Sequence, residues 1–420
     1  MPAPVVDSVT VLALVVMLAV AFAHPRPWTE LTVGLGAVAA VVASGAVDSS
    51  GVSREVRLLF PVVAFLAAIL VVAEICAAEG VFAAVGALVR RAGRGSPGRM
   101  LTLTFVAASV VTATLSLDAT VVLLTPVVAV AAAGAATSPR PLVYACARLA
   151  NSASLLFPVS NLTNLLAMPS LRLSFLGFAL LMAPVWVVVI AVEYAAHRMY
   201  FARELRRPAA ASRTAEPETP ALPVVPLVLV GLMLVAFAAL SPLGVAPAWV
   251  AAVAAVVLAA HALVRRRVDV SRVARSTHLS FAVFVLCLGV VVAALTGTFL
   301  GDLVQRLVPD GEGLGSLLLV ALLATVLANV VNNLPATLLL VPLVAPLGST
   351  AVLAALIGLG VGSGLTYTGS LANLLWRRTL LGRGHDPSAR TFHALSALTT
   401  APAVTLGILV LWAWASMLGR

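Results

Sequence analysis

The residues of this chain most able to do chemistry are polar groups set in small clusters inside long apolar runs. Asp118 stands between Ser116 and Thr120 within the run 100–133. A second cluster, Ser160-Asn161-Leu162-Thr163-Asn164, lies in 141–171. Two more follow in the second half: Asn332-Asn333-Leu334-Pro335 with Thr337, and Thr366-Tyr367-Thr368-Gly369-Ser370 with Asn373. A carboxyl group at mid-membrane costs about 2.5–3.5 kcal/mol on insertion scales, so its presence there points to function. Held where its charge is costly, Asp118 suits uptake and release of a proton, or pairing with a small cation. The hydroxyl and amide groups suit coordination of a neutral polyhydroxylated solute or a dehydrated ion, aided by the ends of interrupted helices. Two plainer roles compete: Asp118 as the N-cap of the helix that follows it, and the small polar residues as interhelical hydrogen-bond partners.

The clusters come in pairs. Ser160-Asn161-Leu162-Thr163-Asn164-Leu165-Leu166 nearly repeats as Gly369-Ser370-Leu371-Ala372-Asn373-Leu374-Leu375. Asp118-Ala119-Thr120 has its counterpart in Pro335-Ala336-Thr337, and each leads to a proline, Pro126 and Pro342. Interrupted apolar segments at matching positions of a repeat point to the binding site of a secondary transporter. Other chemistries lack their residues. The 6 His and 3 Cys show no metal-ligand spacing, and neither a Walker loop nor a catalytic triad pattern is present. No metal, no cofactor and no enzymatic activity are therefore expected. Glu74, Glu79 and Glu193 fall near expected helix ends, where solvation is the default. Trp28, Trp249 and Trp376 lie near the ends of apolar runs and are expected to anchor the membrane interface.

The elements that must position these groups follow from composition. The chain is 61% hydrophobic with 10% charged residues, and its mean hydropathy is +1.10, which excludes a soluble globular domain. Apolar runs of membrane-spanning length recur from end to end, without the alternation of a barrel. Spans are expected near 5–23, 29–46, 57–78, 174–196, 224–240, 249–264, 280–295 and 392–416. Four longer segments are interrupted by polar residues, Gly or Pro: 100–133 and 314–346 read as re-entrant hairpins, 141–171 and 350–381 as broken crossings. Irregular backbone at that depth requires protein or a wet cavity around it.

The net charge of +10 comes from arginines in short loops, as membrane topology requires, and indicates no nucleic-acid partner. Most of these arginines fall on one side, which places both termini outside, with ten crossings and two hairpins. The fold expected is all-α, a polytopic membrane protein of two inverted repeats, 1–197 and 224–420, joined by a cytoplasmic linker, 198–223. Each repeat holds five transmembrane helices and one re-entrant hairpin, and an odd number of crossings inverts the second half.

At these motifs the sequence resembles the arsenite/antimonite efflux permeases, the membrane component of arsenical pumps, within the ion-transporter superfamily. Thr368-Gly369-Ser370-Leu371-Ala372-Asn373-Leu374-Leu375-Trp376 is similar to the family's Gly-Ser-Leu-Ala-Thr-Leu-Leu-Trp stretch, and Asn332-Asn333-Leu334-Pro335 to its second hairpin tip. Asp118 through Pro126 resembles the first hairpin, and Ser160 to Asn164 the first unwound crossing. Leu117 departs from the Asn expected before the aspartate, and Gly362-Ser363-Gly364-Leu365 from a Gly-Pro-Lys lead. The resemblance implies export of arsenite or antimonite across the inner membrane of a bacterium, driven by the proton gradient or by a separate ATPase subunit. Asp118 would be the proton-linked group. The polar residues named above would bind solute, with the lipid bilayer as the other partner. Alternatives are a sodium/proton antiporter or an organic-anion permease of the same superfamily and, in another class, a channel or a non-transporting scaffold.

Overall fold

The computed structural model describes residues 3–23, 27–206, 221–311 and 313–419. The expected linker, 198–223, lies mostly outside the described residues. Among those described, the secondary structure is entirely helical. The first half holds α1 (Ala3–Ala23), α2 (Pro27–Ser44), α3 (Ser49–Ala78), α4 (Val81–Gly93), α5 (Pro97–Thr114), α6 (Thr125–Gly134), α7 (Arg140–Ser152), α8 (Leu162–Leu171) and α9 (Phe175–Tyr200), followed by the short α10 (Ala202–Leu205). The second holds α11 (Val224–Leu240), α12 (Pro247–Val264), α13 (Val270–Ser276), α14 (Leu279–Leu295), α15 (Phe299–Leu307), α16 (Leu314–Val331), α17 (Asn333–Val344), α18 (Ser349–Gly360), α19 (Leu371–Leu381) and α20 (Ala389–Met417). Among the described residues, eight helices are long and apolar enough to cross a membrane, α16 among them.

Nearly every face of these helices is apolar, so periodicity does not delimit them; caps and turns do. Asp48 accepts the Gly51 N–H at 2.8 Å and starts α3 at Ser49, eight residues before its apolar run. Ser174 and Ser388 cap α9 and α20 in the same way. Two short amphipathic helices, α4 and α15, add to the expected spans. They carry charge, Arg90 and Arg91 on α4 and Asp302 and Arg306 on α15, and so escape a search by hydropathy.

Apart from the short α10 and α13, the order of elements recurs in the two halves. After three long helices comes a short amphipathic one, then two helices joined at a sharp break, then a helix interrupted by irregular backbone, then a long closing helix. The first break carries a π-helical turn, Ala119–Leu124, in which both the N–H and the Oγ1 of Thr125 bond to the Thr120 carbonyl. Its cause is legible in the sequence. The stretch from Thr120 to Pro126 is one residue longer than that from Thr337 to Pro342, and a π turn absorbs one residue. The second break turns at Asn332, at φ 76° and ψ 153°, a strained backbone conformation that residues with a side chain rarely adopt.

The closing helices α9 and α20 lie along each other, α12 along α3, α14 against α2 and α3, and α16 against α18. Small residues set the last of these contacts. A Cβ on Gly358 of α18 would strike the Ala321 carbonyl of α16, and backbone cannot move aside as a side chain can. Gly358→Leu should therefore destabilise the protein by about 1–3 kcal/mol. Gly231→Leu on α11, where a Cβ meets open space, should not. Unfolding in detergent, followed for both variants, checks the pair.

Candidate functional site

The breaks of all four interrupted segments meet at one cavity of about 70 Å³. Ser116 and Asp118 reach it from the first break, Ser160, Asn161 and Thr163 from the first interrupted helix, Asn333 from the second break and Ser370 from the second interrupted helix. Phe65, Leu66 and Ile69 of α3 and Phe281 of α14 form its apolar wall. Asp118, Phe281 and Leu371 also line a larger cavity of about 550 Å³, which runs past Glu74 to Arg272 and Arg275. Asp118 stands at the junction of the two.

Hydrogen bonding separates these residues into two groups. Most are committed to the irregular backbone around them. Asn164 donates to the carbonyls of Ser154 and Phe157, and Asn373 to those of Ser363 and Thr366, in each case ten and seven residues upstream. Asn161 and Ser370 share φ and ψ within a degree, and each caps the helix that follows, α8 and α19. Asn332 donates to the Thr368 carbonyl, while Asn329 accepts from the N–H and hydroxyl of Thr366, whose Oγ1 lies 3.1 Å from that of Thr368. Thr120 pairs with Thr112, and Thr337 donates to the Asn333 carbonyl. Ser160 donates to the Ala113 carbonyl, and Ser116 accepts the Ala119 N–H. Thr120, Asn164, Asn332, Thr337, Thr366, Thr368 and Asn373 thus lie outside the cavity lining, holding the scaffold.

Three polar side chains facing the cavity are uncommitted. Asp118 makes no capping bond and no ion pair among the described residues. The Thr163 hydroxyl is buried without a partner, and the Asn333 side-chain amide makes no hydrogen bond among the described residues. A buried polar group left without a partner is costly, so its persistence points to a ligand or water in the cavity.

The sequence reading missed the most elaborate polar contact in the molecule. Glu193 is fully buried, not solvated at a helix end, because α9 runs on to Tyr200 and leaves two further turns beyond it. It accepts from Arg148 Nη2 at 2.8 Å and from the Ser152 hydroxyl at 2.8 Å. Arg148 also donates to the Gly364 carbonyl at 2.6 Å and to Ser396 and Thr400 of α20. The signal for it was present as two opposite charges, each inside an apolar stretch, which need one another. Trp376 is a further correction. It is wholly buried and donates to the Val143 carbonyl of α7, whereas Trp28 and Trp249 are exposed.

An all-helical membrane fold whose interrupted helices converge on a small polar cavity defines a membrane secondary transporter. Residues 9–357 match the family described as Citrate transporter, CitMHS, and the chain belongs to that family. It is 27% identical over 401 residues to an arsenical pump membrane protein of Escherichia coli, covering 90% of this chain and 92% of that protein. It is 28% identical over 429 residues to the arsenical pump membrane protein of Yersinia enterocolitica, covering 94% and 97%. The fold is similar to the crystal structure of the Alcanivorax borkumensis YdaH transporter, with a TM-score of 0.60 over 87% of each chain at 15% identity.

Arg148→Met leaves Glu193 buried without a countercharge and should cost about 3–5 kcal/mol. Replacing both, Arg148→Met with Glu193→Leu, should recover most of that loss. Unfolding of the two single variants and the double variant in detergent gives the coupling energy; a value near zero would show that the pair contributes nothing.

Proposed function

We propose that this protein exports arsenite or antimonite across the bacterial cytoplasmic membrane in exchange for protons, with Asp118 as the proton-linked group. The observation that carries the reading is the chemistry of the smaller cavity. Among the described residues that line it Asp118 alone is ionisable, and the uncommitted groups beside it are a hydroxyl and an amide. A neutral trihydroxide of arsenic or antimony matches that set: its hydroxyls can donate to the Asp118 carboxylate and the Asn333 side-chain oxygen and accept from the Thr163 hydroxyl and the Asn333 side-chain NH2. The three cysteines lie elsewhere, so oxygen and nitrogen groups, not thiolates, hold the solute. The volume, about 70 Å³, has room for only a handful of water-sized atoms.

A citrate-like anion fits poorly. It would set its carboxylates against Asp118, and the cation buried among the interrupted helices, Arg148, is bound to Glu193. The relatives named as arsenical pump membrane proteins support the first solute class. In this reading the two halves are inverted repeats, 1–197 and 224–420, and the paired helices α5/α6 and α16/α17 are hairpins that enter the membrane and return. Positive-inside counting puts Arg272 and Arg275 in the cytoplasm, so the larger cavity opens inward and leads to Asp118. Alternating access would close that path and open another outside.

Asp118→Asn keeps the size of the side chain and removes the proton. In sealed vesicles with an imposed proton gradient, this variant should lose proton-driven arsenite movement while remaining folded; unchanged coupling would remove Asp118 from the mechanism. Thr163→Val should raise the KM for arsenite about two- to ten-fold, the worth of one neutral hydrogen bond. Because that hydroxyl has no hydrogen-bond partner among the described residues, stability should not fall. Sodium measured beside arsenite in the same vesicles distinguishes the antiporter alternative.

A further inference from the structure

One of the chain's arginine clusters lies beside the mouth of the larger cavity. Arg265, Arg266 and Arg267 follow the end of α12, and Arg272 and Arg275 lie on α13, five arginines within eleven residues. The acid among them, Asp269, is committed to capping: its carboxylate accepts the Arg272 N–H at 2.8 Å and the Ser271 hydroxyl at 3.1 Å. Arg272 Nε reaches Glu74 of α3 at 2.7 Å, and Arg275 donates to Ser271. The guanidinium groups of Arg265, Arg266 and Arg267 make no hydrogen bond or ion pair among the described residues. Arg266, Arg267, Arg272 and Arg275 surround an open cleft of about 520 Å³ floored by Leu263 and Val268.

The flanks of the cleft decide what kind of anion it takes. Val264, Val270 and Leu279 stand 84%, 71% and 68% exposed beside the arginines. A soluble phosphate compound needs no apolar surroundings, whereas a phospholipid presents a phosphate and acyl chains together. The cleft also sits at the end of a membrane-length helix, where headgroups lie. Guanidinium forks match phosphate oxygens two at a time, and clusters of four to eight basic residues just beyond a membrane helix suit anionic headgroups.

We infer that this cleft binds the phosphate of an anionic phospholipid of the cytoplasmic leaflet, with the exposed valines and Leu279 against its acyl chains. Arg272 and Arg275 line the larger cavity as well as the cleft. A bound phosphate therefore competes with Glu74 for Arg272 and sets the charge at the mouth of the path to Asp118.

The test needs no transport assay. The full chain is reconstituted in nanodiscs of mixed phosphatidylcholine and phosphatidylglycerol, and lipid retained through detergent extraction is counted by native mass spectrometry. Phosphatidylglycerol should be retained in preference. Arg266→Ala with Arg267→Ala should weaken that preference about five-fold per arginine, and Arg306→Ala on α15 should leave it unchanged. Both double-variant positions are exposed, and an unchanged melting temperature shows that the fold is kept. Equal retention by the double variant and the parent protein would overturn the site. Displacement of the retained lipid by inorganic phosphate or ATP would overturn the lipid assignment in favour of a soluble phosphate compound.

Discussion

A guanidinium inside an apolar core must be surrounded by acceptors, and Arg148 meets that demand by drawing four stretches of chain to one point. Its partners are Glu193 on α9, the Gly364 carbonyl in the second interrupted helix, and Ser396 and Thr400 on α20. A first-half residue thus fastens two second-half elements. Taking both charges out of water is expensive, and the pair alone does not repay it without the added hydrogen bonds. The contact is close enough that a Cβ on Gly364 would push the guanidinium away from its acceptors. Two neighbouring bonds reinforce the junction: Asn151 to Asn373, and Trp376 to the Val143 carbonyl.

Around that junction the governing constraint is satisfaction of backbone groups where helices stop inside the apolar region. The two halves solve it with the same devices. Asn164 and Asn373 span their irregular loops with matching pairs of carbonyl acceptors, and Asn161 and Ser370 cap the helices that resume. The breaks differ. The first absorbs its extra residue in a π turn beside Asp118, whereas the second turns on Asn332 at positive φ and anchors the Asn333 N–H to the Gly369 carbonyl. Gly369 has no room for a side chain, because a Cβ would meet the Ser363 carbonyl and the Asn329 amide.

What remains at the cavity after this accounting is a small set of polar side chains without partners among the described residues: Asp118, Thr163 and Asn333. They come from three different segments, so the cavity they face exists only while those segments are held together. Any movement of one segment against another changes the spacing of all three groups at once. The proposed exchange of solute for proton depends on that coupling. It also explains why the scaffold asparagines and threonines outnumber the uncommitted groups.

Composition, the length of the apolar runs and the paired motifs were enough to read an all-helical membrane protein, the positions of its interrupted segments and the residues clustered at them. Each of those properties is local, carried by consecutive residues whose hydropathy or turn chemistry needs no partner. The division of the polar residues into scaffold and uncommitted groups was decided only by the tertiary structure. Asn164 and Thr163 are adjacent in one motif, yet the first closes a loop and the second faces the cavity. Glu193 reads as an ordinary helix-end acid until Arg148, 45 residues away, is packed against it. In helices apolar on every side, hydropathy does not say which face turns inward, so the two opposite charges are legible in the sequence but their pairing is not.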